Sequence, residues 1–130
     1  MAHTILIVDD NPDDIEITRI ILGRIGRPLN VEEVPSGEAA LKRLRDEKEL
    51  PSMILLDIKM PGMSGIDTLC QIRADERLKA IPVTIVTSSS LESDEELAYA
   101  AGADNFLHKA CDMEQFSNEI KNILEQKIKK

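Results

Sequence analysis

Tryptophan is absent from this 130-residue chain, and aromatics are limited to one Tyr and two Phe. A core must therefore be assembled mostly from Ile, Leu, Val and Ala. Basic residues are outnumbered, 16 Lys and Arg against 24 Asp and Glu, and the net charge of −8 argues against direct nucleic-acid binding through the bulk field. No apolar run approaches the roughly 20 residues that cross a bilayer. The start Met1-Ala-His-Thr4 lacks the charged opening and long apolar stretch of a signal peptide. The expectation is a cytoplasmic protein without membrane insertion. Cysteine is confined to Cys70 and Cys111, whose spacing suits neither a metal site nor a redox pair, so free thiols in a reducing compartment are expected. Internal repeats, low-complexity segments and linkers are also missing, and one domain over residues 1–130 follows.

What is present is an alternation of apolar runs and amphipathic segments. Thr4–Val8 is a β-branched run that stops at Asp9-Asp10 and does not alternate, which predicts a strand buried on both faces. Asn11-Pro12 suits a cap and first helical position, with Ile17, Ile20 and Ile21 expected on the inner face and the helix ending at Gly26 to Pro28. Val31–Val34 is more polar and suits a sheet edge. Ser36 can cap a helix whose inner face is Ala40, Leu41 and Leu44. Met53–Leu56 delivers Asp57 to a turn through Pro61, Gly62 and Gly65, and the next helix is expected to bury Ile66, Leu69 and Cys70. Pro82–Val86 predicts a fourth strand ending at Thr87. Ser93 with Glu96 reads as a capping box, with Leu97, Ala100 and Ala101 facing inward before a stop at Gly102. Asn105–His108 is a brief fifth strand ending at Lys109. Asp112 with Gln115 opens a last helix with Phe116, Ile120, Ile123 and Leu124 as its buried stripe. Five strands alternating with five helices predict an α/β fold, a parallel sheet with helices on both faces.

The polar interruptions fall at the carboxyl ends of the strands: Asp9 and Asp10, Asp57, Thr87 and Lys109. Ligands of open α/β sheets bind there, at the point where strand order reverses. In the order 2-1-3-4-5, strands one and three are neighbours at that reversal, so Asp9, Asp10 and Asp57 would converge. Clustered carboxylates repel unless a cation joins them. An all-oxygen donor set without His or Cys favours Mg²⁺, which readily accepts a phosphate oxygen. Asp57 is the expected nucleophile, forming an acyl phosphate, with Lys109 supplying charge and Thr87 a hydroxyl donor.

The segments Val8-Asp-Asp-Asn-Pro12, Leu56-Asp-Ile-Lys-Met-Pro-Gly-Met-Ser-Gly65, Thr87-Ser88 and Ala101–Phe106 leading to Lys109 are spread along nearly the whole chain. In combination they resemble the receiver domains of two-component response regulators, close to a stand-alone chemotaxis-type regulator. The resemblance implies the flavodoxin-like doubly wound order 2-1-3-4-5 and a single receiver domain without an output domain. It implies that Asp57 takes phosphate from a histidine kinase or histidine phosphotransfer protein. Asp10, Asp57 and the Lys59 carbonyl would hold Mg²⁺ directly, with Asp9 acting mainly through a metal-bound water. Thr87 and Phe106 would form a switch that remodels the face of helix four, strand five and helix five. Output would pass through a protein partner, a homodimer or a relay rather than through turnover of a substrate. Where such proteins usually carry proline after the lysine with a cis peptide, this chain has Ala110. A non-proline cis bond costs about 3–4 kcal/mol, so the turn is trans or the fold compensates the strain. Lys59 and Ser89 fall where such proteins tune phosphate lifetime. His3 and His108 read as structural, and Cys111 is given no redox role.

Three other readings compete. A haloacid-dehalogenase-type hydrolase also forms an aspartyl phosphate, but it wants an Asp-x-Asp pair after the first strand and a cap domain. A flavin carrier needs a Ser/Thr/Gly phosphate loop after the first strand, which is missing, and the lone Tyr99 sits mid-helix. A receiver that works without phosphorylation would not need the acidic set, Thr87 and Lys109.

Overall fold

The computed structural model describes residues 3–26, 28–46, 49–88, 92–109 and 113–127. Its elements are β1 (His3–Val8), α1 (Pro12–Gly23), β2 (Leu29–Val34), α2 (Gly37–Asp46), β3 (Met53–Leu56), α3 (Gly65–Ala74), β4 (Val83–Thr87), α4 (Glu92–Ala101), β5 (Asn105–His108) and α5 (Met113–Lys127). The strands form one parallel sheet in the order β2-β1-β3-β4-β5.

Side chains alternate across the sheet, and each face has its own core. Leu6, Val8, Ile54, Leu56, Val83 and Ile85 meet Leu41 and Leu44 of α2, Leu69 and Ile72 of α3, and Ala98 of α4. Ile5, Ile7, Met53, Leu55, Val86 and Leu107 meet Ile21 and Leu22 of α1 and Phe116, Ile120 and Leu124 of α5. Two-sided burial is why the central strands read as unbroken apolar runs. The polar strand β2 lies at the edge, as its composition predicts. Arg19 donates to Glu33 at 2.6 Å and to the Val31 carbonyl at 3.2 Å, so one of the edge's exposed acceptors is covered.

The buried faces of α2 (Ala40, Leu41, Leu44) and α5 (Phe116, Ile120, Ile123, Leu124) are the expected ones, whereas those of α1, α3 and α4 depart from expectation in part. In α1 the buried residues are Thr18, Ile21 and Leu22, while Ile17 and Ile20 are each 42% exposed. The stripe 15-18-22 follows the helical repeat, with Ile17 to one side of it and Ile20 on nearly the opposite face. In α3, Thr68, Leu69 and Ile72 are buried and Cys70 is exposed, with Ile66 partly buried. In α4 only Ala98 is buried; Leu97 is 55% exposed and Ala100 is exposed, leaving Ala101 partly buried. Ser93 is the second residue of α4, which starts at Glu92, so it is not the cap. α1 ends at Gly23, before the expected Gly26, with the Arg24 N–H donating to the Ile21 carbonyl at 3.1 Å and the Ile25 N–H to the Leu22 carbonyl at 3.3 Å. Asp112, Ser89, Cys111 and the Lys109–Ala110 peptide lie outside the described residues.

Candidate functional site

Register brings the strand ends together. Val8 pairs with both Val34 and Leu56, so Asp9 and Asp57 each follow directly from neighbouring paired residues. The Asp57 N–H donates to the Val8 carbonyl at 3.0 Å, and the Asp9 N–H to the Val34 carbonyl at 3.2 Å. Thr87 pairs with His108 at the ends of β4 and β5, and the Lys109 N–H donates to the Thr87 carbonyl at 2.8 Å. The sheet therefore fixes three side chains at one rim through backbone bonds alone.

Local turns refine the carboxylates. Asn11 takes extended backbone as the α1 cap, and its Oδ1 accepts from the N–H groups of Asp13 and Asp14 at 2.9 and 3.3 Å. The Asn11 N–H in turn donates to Asp9 Oδ1 at 3.0 Å. Past β3, the Lys59 N–H donates to Asp57 Oδ1 at 3.4 Å and the Gly65 N–H to the Ile58 carbonyl at 2.8 Å. That loop doubles back tightly: a Cβ on Gly65 would overlap the Asp57 carbonyl oxygen, and Gly62 takes a φ of 78°.

One carboxylate oxygen from each of Asp9, Asp10 and Asp57 lies within 4.8 Å of the other two. Asp9 and Asp57 are buried, 4% and 7% exposed, whereas Asp10 is exposed. Lys109 Nζ sits against this group at 2.7 Å from Asp9 Oδ2, 3.2 Å from Asp57 Oδ2 and 2.9 Å from Asp14 Oδ2. Burial raises the Asp57 carboxyl above its ordinary value; Lys109 opposes that rise, and the neighbouring Asp9 charge adds to it. For Lys109, burial disfavours the charge, but the bonds to Asp9 and Asp14 and the charges of Asp57 and Asp9 outweigh it and hold the amine above its ordinary value.

The site thus unites Asp9, Asp10, Asp57 and Lys109 side by side. Thr87 is fully buried at the next strand end, and Lys59 is exposed on the loop. Phe106 lies lower, paired with Ile85, half-buried against the core on the α4 side and edge-on to His108 with ring centroids 5.3 Å apart. Two residues escaped the reading of the sequence. Asp14 reaches the site because helical side chains lean back toward the N-terminus, and its place three residues after the cap Asn11 was the available signal. Tyr99 bonds the Phe106 backbone, and burial raises its phenol above the ordinary value; nothing in the pattern of α4 pointed there.

Oxygen donors of this kind, packed against a single ammonium, suit a hard divalent cation and an incoming phosphoryl group. The chain belongs to the response regulator receiver domain family, whose model matches residues 5–121. These domains are phosphorylation-dependent signalling switches of two-component systems, which distinguishes the chain from the hydrolase and flavin-carrier readings. Among its relatives, PilH of Pseudomonas aeruginosa is 34% identical over 120 residues, spanning 92% of this chain and 96% of PilH. The structure of the phosphorylated cyanobacterial phytochrome response regulator RcpA superposes with a TM-score of 0.88 at 29% identity, over 99% of this chain and 96% of that one. The receiver domain of a Pseudomonas aeruginosa sensor histidine kinase, with a magnesium ion coordinated in its active-site cleft, gives 0.83 at 26% identity over 100% of both chains. Among the described residues, no helix is long and apolar enough to cross a membrane.

Proposed function

We propose that residues 1–130 form a single receiver domain, and that Asp57 is its phosphoryl acceptor. The observation that carries this reading is the Lys109 ammonium, bonded to both Asp57 and Asp9 where β1 and β3 end side by side. An Asp57 carboxylate oxygen bonds to phosphorus while the bond from phosphorus to the donor histidine breaks, giving an acyl phosphate. Lys109 balances charge on the phosphoryl oxygens, and the Thr87 hydroxyl donates to one of them. The carboxylates of Asp10 and Asp57, the Lys59 carbonyl and, through water, Asp9 would hold Mg²⁺; their oxygen donors suit that ion. When bound, Mg²⁺ withdraws charge from the phosphoryl oxygens.

Thr87 and Phe106 form the switch that changes the α4–β5–α5 face. The contact of Tyr99 with the Phe106 backbone supports this reading by tying α4 to the residue that turns. The donor is a histidine kinase or histidine phosphotransfer protein in the cytoplasm. The output is contact with a downstream protein or a second copy of the chain.

The test is intact-mass spectrometry after incubation with acetyl phosphate. One phosphoryl group should be added with Mg²⁺ and none when a chelator replaces it. No added mass under either condition would leave the phosphorylation-independent receiver as the better account.

A further inference from the structure

We infer that Asp14 is a positioning residue for Lys109, an inference that rests on Asp57 being the phosphoryl acceptor. A lysine ammonium has three N–H donors, and here they meet three carboxylates. The bonds to Asp9 and Asp14 are 2.7 and 2.9 Å, and the bond to Asp57 is the longest at 3.2 Å. The two shorter bonds fix the ammonium, and the third donor faces the reacting carboxylate.

The three partners differ in what else they must do. Asp9 and Asp57 belong with Asp10 to the group of oxygens that can hold a cation, and Asp14 is outside it. Once Asp9 and Asp57 turn their oxygens to a cation or to phosphorus, Asp14 is the partner of Lys109 left with no competing task. Its own placement is firm: the Asp14 N–H is accepted by the Asn11 cap, and the Thr18 hydroxyl donates to its carbonyl at 2.9 Å. A carboxylate in the first turn is also favoured by the helix dipole. Asp14 does not draw the lysine off Asp57, because all three contacts coexist. Its effect is to keep one N–H aimed at Asp57, and afterwards at a phosphoryl oxygen there.

A double-mutant cycle on the full chain tests this, using acetyl phosphate with Mg²⁺ and following incorporation by mass. Asp14→Asn should slow phosphorylation by roughly tenfold, and Asp14→Ala by at least as much. In a Lys109→Gln background the same Asp14 substitutions should change the rate by less than about twofold. As a readout independent of phosphorylation, solvent exchange of the Lys109 ammonium protons, followed by nitrogen NMR, should quicken in Asp14→Asn with and without Mg²⁺. An unchanged or faster phosphorylation rate in Asp14→Asn, or equal slowing with Lys109 present and absent, would overturn the role of Asp14 and leave the acceptor untouched. Wild-type protein that takes no phosphate on Asp57 would remove both.

Discussion

The Asp57 carboxylate is 7% exposed, and burial lifts its pKa above the ordinary carboxylate value despite an ammonium 3.2 Å away. A raised acid binds its proton more tightly folded than unfolded. Stability therefore falls as pH rises through the window between the ordinary carboxylate value of about 4 and the folded value, and at neutral pH the ionised group is a net cost. Asp57→Asn in chelator should consequently unfold at a higher temperature than wild type at pH 7. That advantage should shrink as pH is lowered through the folded value, which thermal melts across a pH series would record. Divalent cation should reverse the order. At 100 times its dissociation constant Mg²⁺ should stabilise wild type by about 2.7 kcal/mol, and Asp10→Asn or Asp57→Asn by much less, measured by denaturant titration. The acidic positions were legible because each interrupts an apolar run. Asp14 was not, because its contact arises from how a helix directs its side chains.

Among the elements, the strands were readable to within a residue or two, since burial on both faces leaves little but apolar residues in them. Helix faces were harder. Ile17, Ile20 and Leu97 are apolar but exposed, and hydrophobicity alone put them inside; Thr18 and Thr68 are buried, with hydroxyls donating to the carbonyls of Asp14 and Ser64 at 2.9 Å. A threonine that satisfies its hydroxyl on the preceding turn can sit in a core at little cost. The β3–α3 turn carries a sharper expectation. Since a Cβ at Gly65 would overlap the Asp57 carbonyl, Gly65→Ala must displace the end of β3. The expected loss is about 1–3 kcal/mol of stability together with slower phosphorylation, because the displaced residue is the proposed acceptor. Urea unfolding alongside the phosphorylation rate would show both losses, whereas a surface glycine such as Gly23, with open space around it, should tolerate alanine.

Across the whole molecule, the two ends of the sheet do different work. At the carboxyl ends lie the charges described above. At the amino ends of β4 and β5, Arg73 of α3 donates to the carbonyls of Lys79, Ile81 and Gly102 at 3.0, 2.7 and 2.9 Å and to Asp104 at 3.0 Å. Asp104 accepts from the Val83 N–H at 2.8 Å, closing the tie between α3 and two strands. Arg73→Ala should lower stability by about 2–3 kcal/mol in urea titrations and leave the phosphorylation rate of the folded protein unchanged, because the clamp is at the opposite end from Asp57. Nothing in the sequence marks Arg73 as more than one exposed helix arginine among several; its role comes from the loops that close around it.

The central claim is that the carboxylate at the end of β3 is where phosphate goes. Wild-type and Asp57→Asn proteins should be incubated in parallel with acetyl phosphate and Mg²⁺ and weighed intact. Wild type is expected to gain one phosphoryl group, and Asp57→Asn none. Phosphate on Asp57→Asn at the wild-type yield would contradict the assignment.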